Sequence, residues 1–124
     1  MNLVIDEKLL KNVLWQKVER SITEMNGKDK RWVVLVCNDD MISPRIIASG
    51  GENDNILLDF VDENDDIPIS CINSDNSSDV IVIWDGGHYS ENPAKYVVSK
   101  SVAIKAFKYF YKFQGRHPEL LWEE

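Results

Sequence analysis

The segment Ile56-Leu-Leu-Asp-Phe-Val-Asp-Glu-Asn-Asp-Asp-Ile-Pro-Ile-Ser-Cys-Ile72 decides the fold of this chain. Its two apolar runs, residues 56–61 and 67–72, are rich in side chains that favour β-strands. Between them, residues 62–66 are adjacent polar groups that would bury nothing inside a strand, so we predict a hairpin loop there. Pro68 indicates an edge strand or a bulge, because proline has no N–H to donate to a sheet. A short connection of this kind favours antiparallel pairing.

Further strands are predicted on both sides of this hairpin. Comparable apolar runs lie at residues 32–37, 45–48, 80–84 and, as a short piece, 96–98. Segments with glycine, proline, asparagine or aspartate separate them, and we interpret residues 88–94 as a loop. Consecutive strands that are joined by short connections usually become neighbours in an antiparallel sheet.

Two amphipathic helices flank the predicted strands. Apolar residues recur at helical spacing between residues 7 and 25, with Asp6 as the candidate N-cap. A second helix follows Ser99 or Ser101, either of which can cap it. We therefore expect one α+β domain, residues 1–124: an antiparallel meander sheet of about five or six strands, with the N-terminal and C-terminal helices packed on one face.

Acidic residues dominate the middle of the chain. Between Arg45 and Lys95 there are eleven acids and no Lys or Arg, whereas from Lys95 to Arg116 there are six bases and no acid. The eleven acids are Glu52, Asp54, Asp59, Asp62, Glu63, Asp65, Asp66, Asp75, Asp79, Asp85 and Glu91. Such a flank either attracts a basic partner or forms a set of solvated loops. The net charge of −7 argues against DNA, RNA or an anionic membrane as the main partner.

Neither a membrane span nor a secretion signal is expected. No apolar run approaches the roughly 20 residues that cross a bilayer, and charged residues interrupt residues 1–15. Cys37 and Cys71 lie in apolar runs, which is typical of buried thiols. A disulfide stays open as an alternative, and a two-cysteine metal site lacks further ligands at suitable spacing. We expect a cytoplasmic protein.

Few residues are suited to catalysis. The chain has two histidines, His88 and His117. His88 follows Asp85-Gly-Gly, which is more typical of a tight turn than of a metal or acid–base site. The sequence has no glycine-rich phosphate loop, and its Asp/Asn-rich segments lack the spacing of a calcium loop. We expect no enzyme activity, no metal and no cofactor; a small hydrolase that uses Asp85 or His88 is the least favoured alternative.

The C-terminal part of the chain carries the most specific pattern. Residues 98–110 read Val-Ser-Lys-Ser-Val-Ala-Ile-Lys-Ala-Phe-Lys-Tyr-Phe, and residues 115–124 read Gly-Arg-His-Pro-Glu-Leu-Leu-Trp-Glu-Glu. With Gly86-Gly87 upstream, this pattern resembles immunity-protein family one of bacterial polymorphic toxin systems. The resemblance covers roughly residues 45–124 and is closest near the C-terminus. The residues that fit the family pattern are Gly115, Pro118, Trp122 and Glu124.

Three of these residues also have structural interpretations. Gly115 is placed to end the last helix as its C′ residue. Pro118 is placed to shape the following turn, and Trp122 to pack in the core beside Phe110. The shared pattern can therefore reflect the fold as well as a partner contact.

The resemblance implies a stoichiometric inhibitor. Members of that family pair with toxins delivered by contact-dependent or secretion-system routes, which are often nucleases or nucleic-acid deaminases with basic clefts. Such a protein would bind the toxin's catalytic C-terminal domain, one to one, and occlude it with an acidic surface. It would contact neither nucleic acid nor membrane directly. The alternative is an acidic adaptor for another basic protein.

We expect the toxin-binding surface on the acidic loops and on the turn that follows them. The predicted contact residues are Asp62, Glu63, Asp65, Asp66, Asp75, Asp79, Asp85, His88 and Tyr89. The first four would pair with Lys or Arg of the toxin, and Tyr89 would be an anchor. Tyr109 and Tyr111 lie off the apolar stripe of the last helix and can also face a partner.

Overall fold

Strands outnumber helices in the computed structural model, which describes residues 1–38, 44–63, 67–74, 78–85 and 87–124, with Asp85 described by its backbone alone. The strands are β1 (Asn2–Ile5), β2 (Lys8–Leu10), β3 (Trp32–Val36), β4 (Arg45–Gly50), β5 (Ile56–Val61), β6 (Ile69–Ile72), β7 (Val80–Asp85), β8 (His88–Pro93), β9 (Val97–Val98) and β10 (Leu121–Glu123). The helices are α1 (Trp15–Thr23) and α2 (Lys100–Phe113), and single 3₁₀ turns lie at Glu52–Asp54 and Ala94–Tyr96.

One antiparallel sheet forms the scaffold. Its strand order is β10-β6-β5-β4-β3-β1-β2, and β9 pairs with the first residues of β5. The consecutive strands β3, β4, β5 and β6 are neighbours, so the predicted antiparallel meander is confirmed. β7 and β8 pair with each other in a separate two-stranded sheet.

Alternation along β4 and β5 decides which face of the sheet carries the core. Ile46 is paired with Phe60, and Ala48 with Leu58. All four side chains are buried. Because successive residues of a strand point to opposite faces, these positions define one apolar face of the sheet.

Both helices contribute to the core on this face. Phe107 and Phe110 of α2 are fully buried, as are Val18 and Ile22 of α1. Phe110 meets the sheet directly, with its ring centroid 6.1 Å from that of Phe60 in an edge-to-face arrangement. The predicted α+β fold, with an N-terminal and a C-terminal helix packed on an antiparallel sheet, is confirmed.

Polar contacts hold the two helices together at both ends. The Lys100 ammonium donates hydrogen bonds to the backbone carbonyls of Thr23 (3.0 Å) and Met25 (2.6 Å), just where α1 ends. A cation is favourable at a helix C-terminus, where carbonyl groups lack intrahelical partners. The Tyr111 hydroxyl donates to the Val13 carbonyl at 2.8 Å, close to the start of α1.

The N-terminal helix is shorter than predicted, because residues 7–14 are not helical. β1 and β2 form a hairpin in which Leu3 is paired with Leu10. Asp6 is therefore not an N-cap: it occupies the turn with φ of 54°, and its Oδ1 accepts a hydrogen bond from the Arg31 N–H at 3.2 Å. The apolar spacing between residues 7 and 14 fits a helix. However, the residues before this segment form strand β1, and the chain turns back so that β2 pairs with β1.

Residues 88–93 form strand β8, so their prediction as a loop was wrong. Asp85 is paired with His88, and the two residues between them make a connection of the length that joins tight hairpins. β8 has mostly polar side chains, so cross-strand pairing with β7, not apolar alternation, makes it a strand. Upstream, β6 begins at Ile69, so Pro68 precedes the strand instead of lying within it.

Helix α2 agrees with its prediction at one end and differs at the other. Ser99 is the N-cap, and its hydroxyl accepts a hydrogen bond from the Val102 N–H at 3.3 Å. At the C-terminus Gln114 is the C-cap, so Gly115 occupies the predicted C′ position; the left-handed conformation, which is usual for a C′ glycine, is adopted by Gln114 instead, with φ of 58°. The bond from the Gln114 N–H to the Phe110 carbonyl closes the last turn at 2.8 Å.

Strand β10 was not predicted, and it connects the C-terminal segment to the sheet. Trp122 packs on Phe60 with ring centroids 6.3 Å apart, so it reaches the core beside Phe110 through that ring. Glu123 accepts hydrogen bonds from the Tyr96 hydroxyl (2.5 Å) and the Lys95 ammonium (3.1 Å). These contacts hold β10 to the 3₁₀ turn that precedes β9.

Candidate partner-binding surface

The β7–β8 hairpin presents two different faces, because its cross-strand pairs alternate between them. We call the outward set the hairpin face; it comprises Val80, Val82, Trp84, Tyr89, Glu91 and Pro93. The opposite set includes Ile81, Ile83, His88, Ser90 and Asn92. The two sets differ in what they contact, and this difference identifies the surface available to a partner.

Apolar and aromatic side chains are exposed on the hairpin face. Val80 is 54% exposed, Val82 is 52% exposed and Tyr89 is 69% exposed. The Tyr89 ring packs on Trp84 with ring centroids 4.3 Å apart. Single exposed apolar residues are common, whereas contiguous apolar patches of a few hundred Å² are typical of interaction sites.

The opposite face fixes the hairpin to the rest of the protein. Ile83 is 2% exposed and lies over Gly50, where a Cβ atom would come within 3.1 Å of the Ile83 Cγ2. A Cβ on Gly27 would lie 2.8 Å from the carbonyl oxygen of Trp84. β7 therefore approaches two glycines closely, with its backbone at Gly27 and with the Ile83 side chain at Gly50, which holds the hairpin face in a defined orientation.

Hydrogen bonds also hold the base of the hairpin. The Ala94 N–H donates to the Asp79 carbonyl at 3.0 Å, which closes the hairpin at the start of β7. The Asn73 side-chain amide donates to the carbonyls of Ala94 (2.8 Å) and Val97 (2.6 Å). The hairpin is thus tied to the segment that follows β6.

Acidic residues lie within and beside the hairpin face. Glu91 is the cross-strand partner of Val82, and Asp79 immediately precedes β7; both are exposed. No Lys or Arg occurs in the sequence between Arg45 and Lys95. The electrostatic potential that this segment contributes at the hairpin face is therefore negative.

The hairpin brings together four of the predicted contact residues. Asp79, Asp85, His88 and Tyr89 all belong to it or border it. Tyr89 lies on the hairpin face, whereas His88 occupies the opposite set of register positions and is exposed there. For Asp85 the structure describes the backbone, which is paired with His88.

Asp62 and Glu63, two further predicted contact residues, lie away from the hairpin. Asp62 and Glu63 directly follow β5 and are exposed, and the Glu63 N–H donates to the Asp62 carboxylate at 2.7 Å. The predictions for Asp65, Asp66 and Asp75 lie outside the described residues. The structure therefore places Asp62 and Glu63 on the main sheet and not on the hairpin.

Burial changes the acid–base properties of two residues in the sheet. Burial raises the pKa of the Asp59 carboxyl, and a 2.7 Å hydrogen bond from the Ser70 hydroxyl partly opposes this. Burial, together with the nearby Asp59 charge, raises the pKa of the Cys71 thiol to about 11. A thiol of that pKa is protonated at neutral pH and is a poor nucleophile. Cys71 and Cys37 are not joined to each other, so the disulfide left open above is not formed.

Glu123 has the opposite shift. Its hydrogen bonds from the Tyr96 hydroxyl and then the Lys95 ammonium hold the pKa of this carboxyl below its ordinary value. The same contact with Glu123 raises the pKa of Lys95.

Within the described part of the chain, no group of three or more His, Cys, Asp or Glu side chains could hold a metal ion. The hairpin face itself offers apolar and aromatic contact next to negative charge.

Val80, Val82 and Trp84, the apolar side chains that β7 contributes to this surface, were predicted to lie in a strand but not to bind a partner. The apolar run from Val80 to Trp84 and the Gly86-Gly87 pair after it are typical of a β-hairpin. All five residues of this run are apolar, so the sequence has no alternation that would indicate which face of the strand is exposed.

Comparisons with known proteins identified no relative whose binding residues could be compared with those of this chain. No protein-family model matches the chain, and no curated protein is similar to it by sequence. In the part of the chain that the structure describes, no helix is both long enough and apolar enough to span a membrane.

Proposed function

We propose that this protein is an immunity-type inhibitor, which binds the catalytic C-terminal domain of a cognate bacterial toxin one to one in the cytoplasm and covers its basic active-site cleft. The observation that carries this proposal is the hairpin face, an exposed strip of apolar and aromatic side chains in a flank that has acids and no bases. The C-terminal pattern that resembles immunity-protein family one supports the same function.

The composition of the hairpin face suits a protein interface. Stable interfaces place a few buried aromatic or apolar anchors at the centre and polar groups around them. Tyr89, whose ring packs at a tilt against Trp84, is the natural anchor, and Val80 and Val82 extend the apolar contact along β7. Glu91 and Asp79 then belong to the polar rim.

Negative charge suits the expected partner. A nuclease or deaminase domain holds its nucleic-acid substrate in a positively charged cleft. An acidic surface competes for that cleft, and at low salt it steers association toward rates of about 10⁸–10⁹ M⁻¹s⁻¹. Affinity must come mainly from the anchors, because charge contributes more to rate and specificity than to binding strength.

The fixed position of the hairpin favours tight binding. Ordering a flexible loop costs binding free energy, and a preorganised surface avoids that cost. The close approach of β7 to Gly27 and Gly50 and the hydrogen bonds at the hairpin base supply such preorganisation.

Affinity capture tests the function directly. Tagged protein is expressed in its native bacterium together with any toxin encoded beside it, and the proteins that survive a moderate-salt wash are identified by mass spectrometry. We expect a toxin C-terminal domain at a ratio of one to one, and loss of that domain's activity when the purified proteins are mixed. Capture of an unrelated basic protein, with the toxin expressed but absent from the eluate, would favour the adaptor alternative instead.

Substitutions on the hairpin face test its role. Tyr89→Ala removes an exposed anchor, so folding should be unaffected while the Kd for the toxin rises about 30-fold, as for a contact of about 2 kcal/mol. Val82→Asp should weaken binding as strongly. Leu14→Asp is the matched control, since Leu14 is 71% exposed and lies at the start of α1. Equal affinities for all variants would exclude the hairpin face from the interface.

A further inference from the structure

A second surface of opposite charge lies along α2, and the proposed function does not use it. There a groove of about 200 Å³ is open to solvent. Its lining residues are Lys105, Lys108, Tyr109, Lys112, Phe113 and His117. We call it the α2 groove.

Aromatic rings form the floor of this groove. Tyr109 lies between two other rings, with centroids 4.8 Å from Phe113 and 5.0 Å from His117. Phe113 is 65% exposed although it is a large apolar side chain. The His117 ring is held in place because its Nδ1 accepts a hydrogen bond from the Glu119 N–H at 3.1 Å.

Lysines form the sides of the groove. Lys105, Lys108 and Lys112 follow the same side of α2 over seven residues, a rise of about 10 Å. Lys105 is paired with the exposed Glu119 at 3.4 Å. Among the described residues, no carboxylate lies within ion-pair distance of Lys108 or Lys112. The groove therefore combines two uncompensated positive charges with an exposed aromatic surface.

We propose that the α2 groove binds an acidic peptide segment of a partner protein, with an aromatic or large apolar side chain on Tyr109 and Phe113 and carboxylates at Lys108 and Lys112. Charge complementarity selects an anionic occupant. A length of about 10 Å accommodates roughly three residues of extended peptide. This inference goes beyond the proposed function and does not depend on it.

Charge elsewhere in the protein favours a peptide over nucleic acid as the occupant. The chain has a net charge of −7, which repels a long polyanion that extends past the groove. A short acidic segment experiences mainly the local potential, because salt screens charges beyond about 8–10 Å.

Nuclear magnetic resonance on the ¹⁵N-labelled full chain tests this inference. The probe is a peptide of about ten residues, made of Asp and Glu around one central Phe. We expect shifts of backbone amides concentrated in α2 and at His117 and Glu119, with a Kd of about 1 mM or tighter. A peptide with Lys in place of every acid should give no such shifts.

Substitutions distinguish a specific peptide-binding site from nonspecific electrostatic attraction of the peptide to the protein. Lys108→Glu/Lys112→Glu should weaken binding at least about tenfold, and Phe113→Ser should weaken it without unfolding the protein, because Phe113 is exposed. Lys8→Glu/Lys28→Glu, with the same change in net charge away from the groove, is the matched control and should bind normally. Equal losses in both double variants, shifts located outside α2, or α2 shifts caused by oligothymidylate but not by the acidic peptide would each overturn the proposal.

Discussion

Gly27 and Gly50 determine how closely the β7–β8 hairpin approaches the rest of the protein. Both have positive φ, 77° and 96°, a region that side-chain-bearing residues rarely adopt. A Cβ on Gly50 would lie 2.8 Å from the Asn55 carbonyl oxygen and 3.1 Å from the Ile83 side chain. Position and conformation thus both require glycine here, and the orientation of the hairpin face depends on it.

Gly50→Ala should destabilise the protein more than Gly87→Ala. Gly87 also has a positive φ, 105°, but a Cβ there would meet nothing within 4 Å. The Gly87 variant therefore measures backbone strain alone, about 1–3 kcal/mol, whereas the Gly50 variant adds the two steric clashes. Urea-induced unfolding of both variants measures the difference. Equal losses of unfolding free energy would show that neither the Asn55 carbonyl nor the Ile83 side chain is packed tightly against Gly50.

Asp59→Asn should become relatively more stabilising as the pH rises. Burial raises the pKa of Asp59 in the folded protein above its ordinary value of 3.8. Below 3.8 the carboxyl is protonated in both states, and as the pH rises through the raised pKa the folded protein must ionise a half-buried group. The free energy of unfolding of the wild-type protein therefore falls over this pH range, whereas that of the variant with the neutral asparagine does not fall for this reason.

Unfolding free energies of wild type and Asp59→Asn, measured between about pH 3 and pH 7, check the sign of this effect. The asparagine Oδ1 can still accept the hydrogen bond from Ser70, so the comparison isolates the charge. A difference between the two proteins that does not change with pH would contradict the assigned direction of the pKa shift.

The two helices differ in how they begin. Ser99 caps α2 with its side chain, whereas Leu14, at the N-cap of α1, has no side-chain hydrogen bond to offer. Leu14 has the extended backbone that an N-cap needs, with φ of −81° and ψ of 153°. The start of α1 is therefore improvable by one substitution.

Leu14→Ser should stabilise the protein by about 1 kcal/mol, and Ser99→Ala should destabilise it by a similar amount. The serine hydroxyl at position 14 can accept a hydrogen bond from an N–H of the first turn, and the lost leucine side chain is 71% exposed. Thermal unfolding of both variants measures the effect. A lower midpoint for Leu14→Ser would mean that the leucine makes an apolar contact which outweighs the cap.

Prediction from sequence succeeded where an element has one clear periodicity. β5 was predicted with the bounds that the structure has, and the Ser99 cap identified the start of α2. It failed at residues 7–14, where apolar spacing fits both a helix and a hairpin, since the left-handed turn at Asp6 decides between them. It also failed for β8, because a strand of polar residues is defined by its partner.

For the candidate site, charge could be predicted but its spatial arrangement could not. The acidic segment and Tyr89 were identified from the sequence. That Val80 and Val82 lie beside Tyr89 on one exposed face depends on the register of β7 against β8, which the sequence does not state. Asp62 and Glu63 come after β5, a strand of the main sheet. Acidic residues of one sequence segment are therefore not all close together in the structure.

Acidic and basic residues are concentrated in different segments of the chain. The segment between Arg45 and Lys95 is acidic, and the segment from Lys95 to Arg116, which contains α2, is basic. The proposed toxin would be attracted by the first and an acidic peptide by the second. A partner approaching in solution is therefore oriented before contact, and this orientation weakens as salt screens the field.

Replacing Asp62, Glu63, Asp65 and Asp66 by Ser should weaken toxin binding and reduce its dependence on salt. The four charges contribute to the field that steers a basic partner, so the association rate should fall more than the dissociation rate rises. Stopped-flow association from low salt to about 0.5 M measures both effects. An unchanged association rate would remove this loop from the steering surface.

The outermost strands of the main sheet have a consequence for behaviour at high concentration. β2 and β10 are three residues long and carry Lys8 and Glu123, features that discourage intermolecular strand addition. β7 and β8 are six residues long, and in the described residues each pairs only with the other. At high concentration and without a bound partner, the protein is therefore expected to aggregate through the β7–β8 hairpin. Solubility should then indicate whether a partner covers the hairpin.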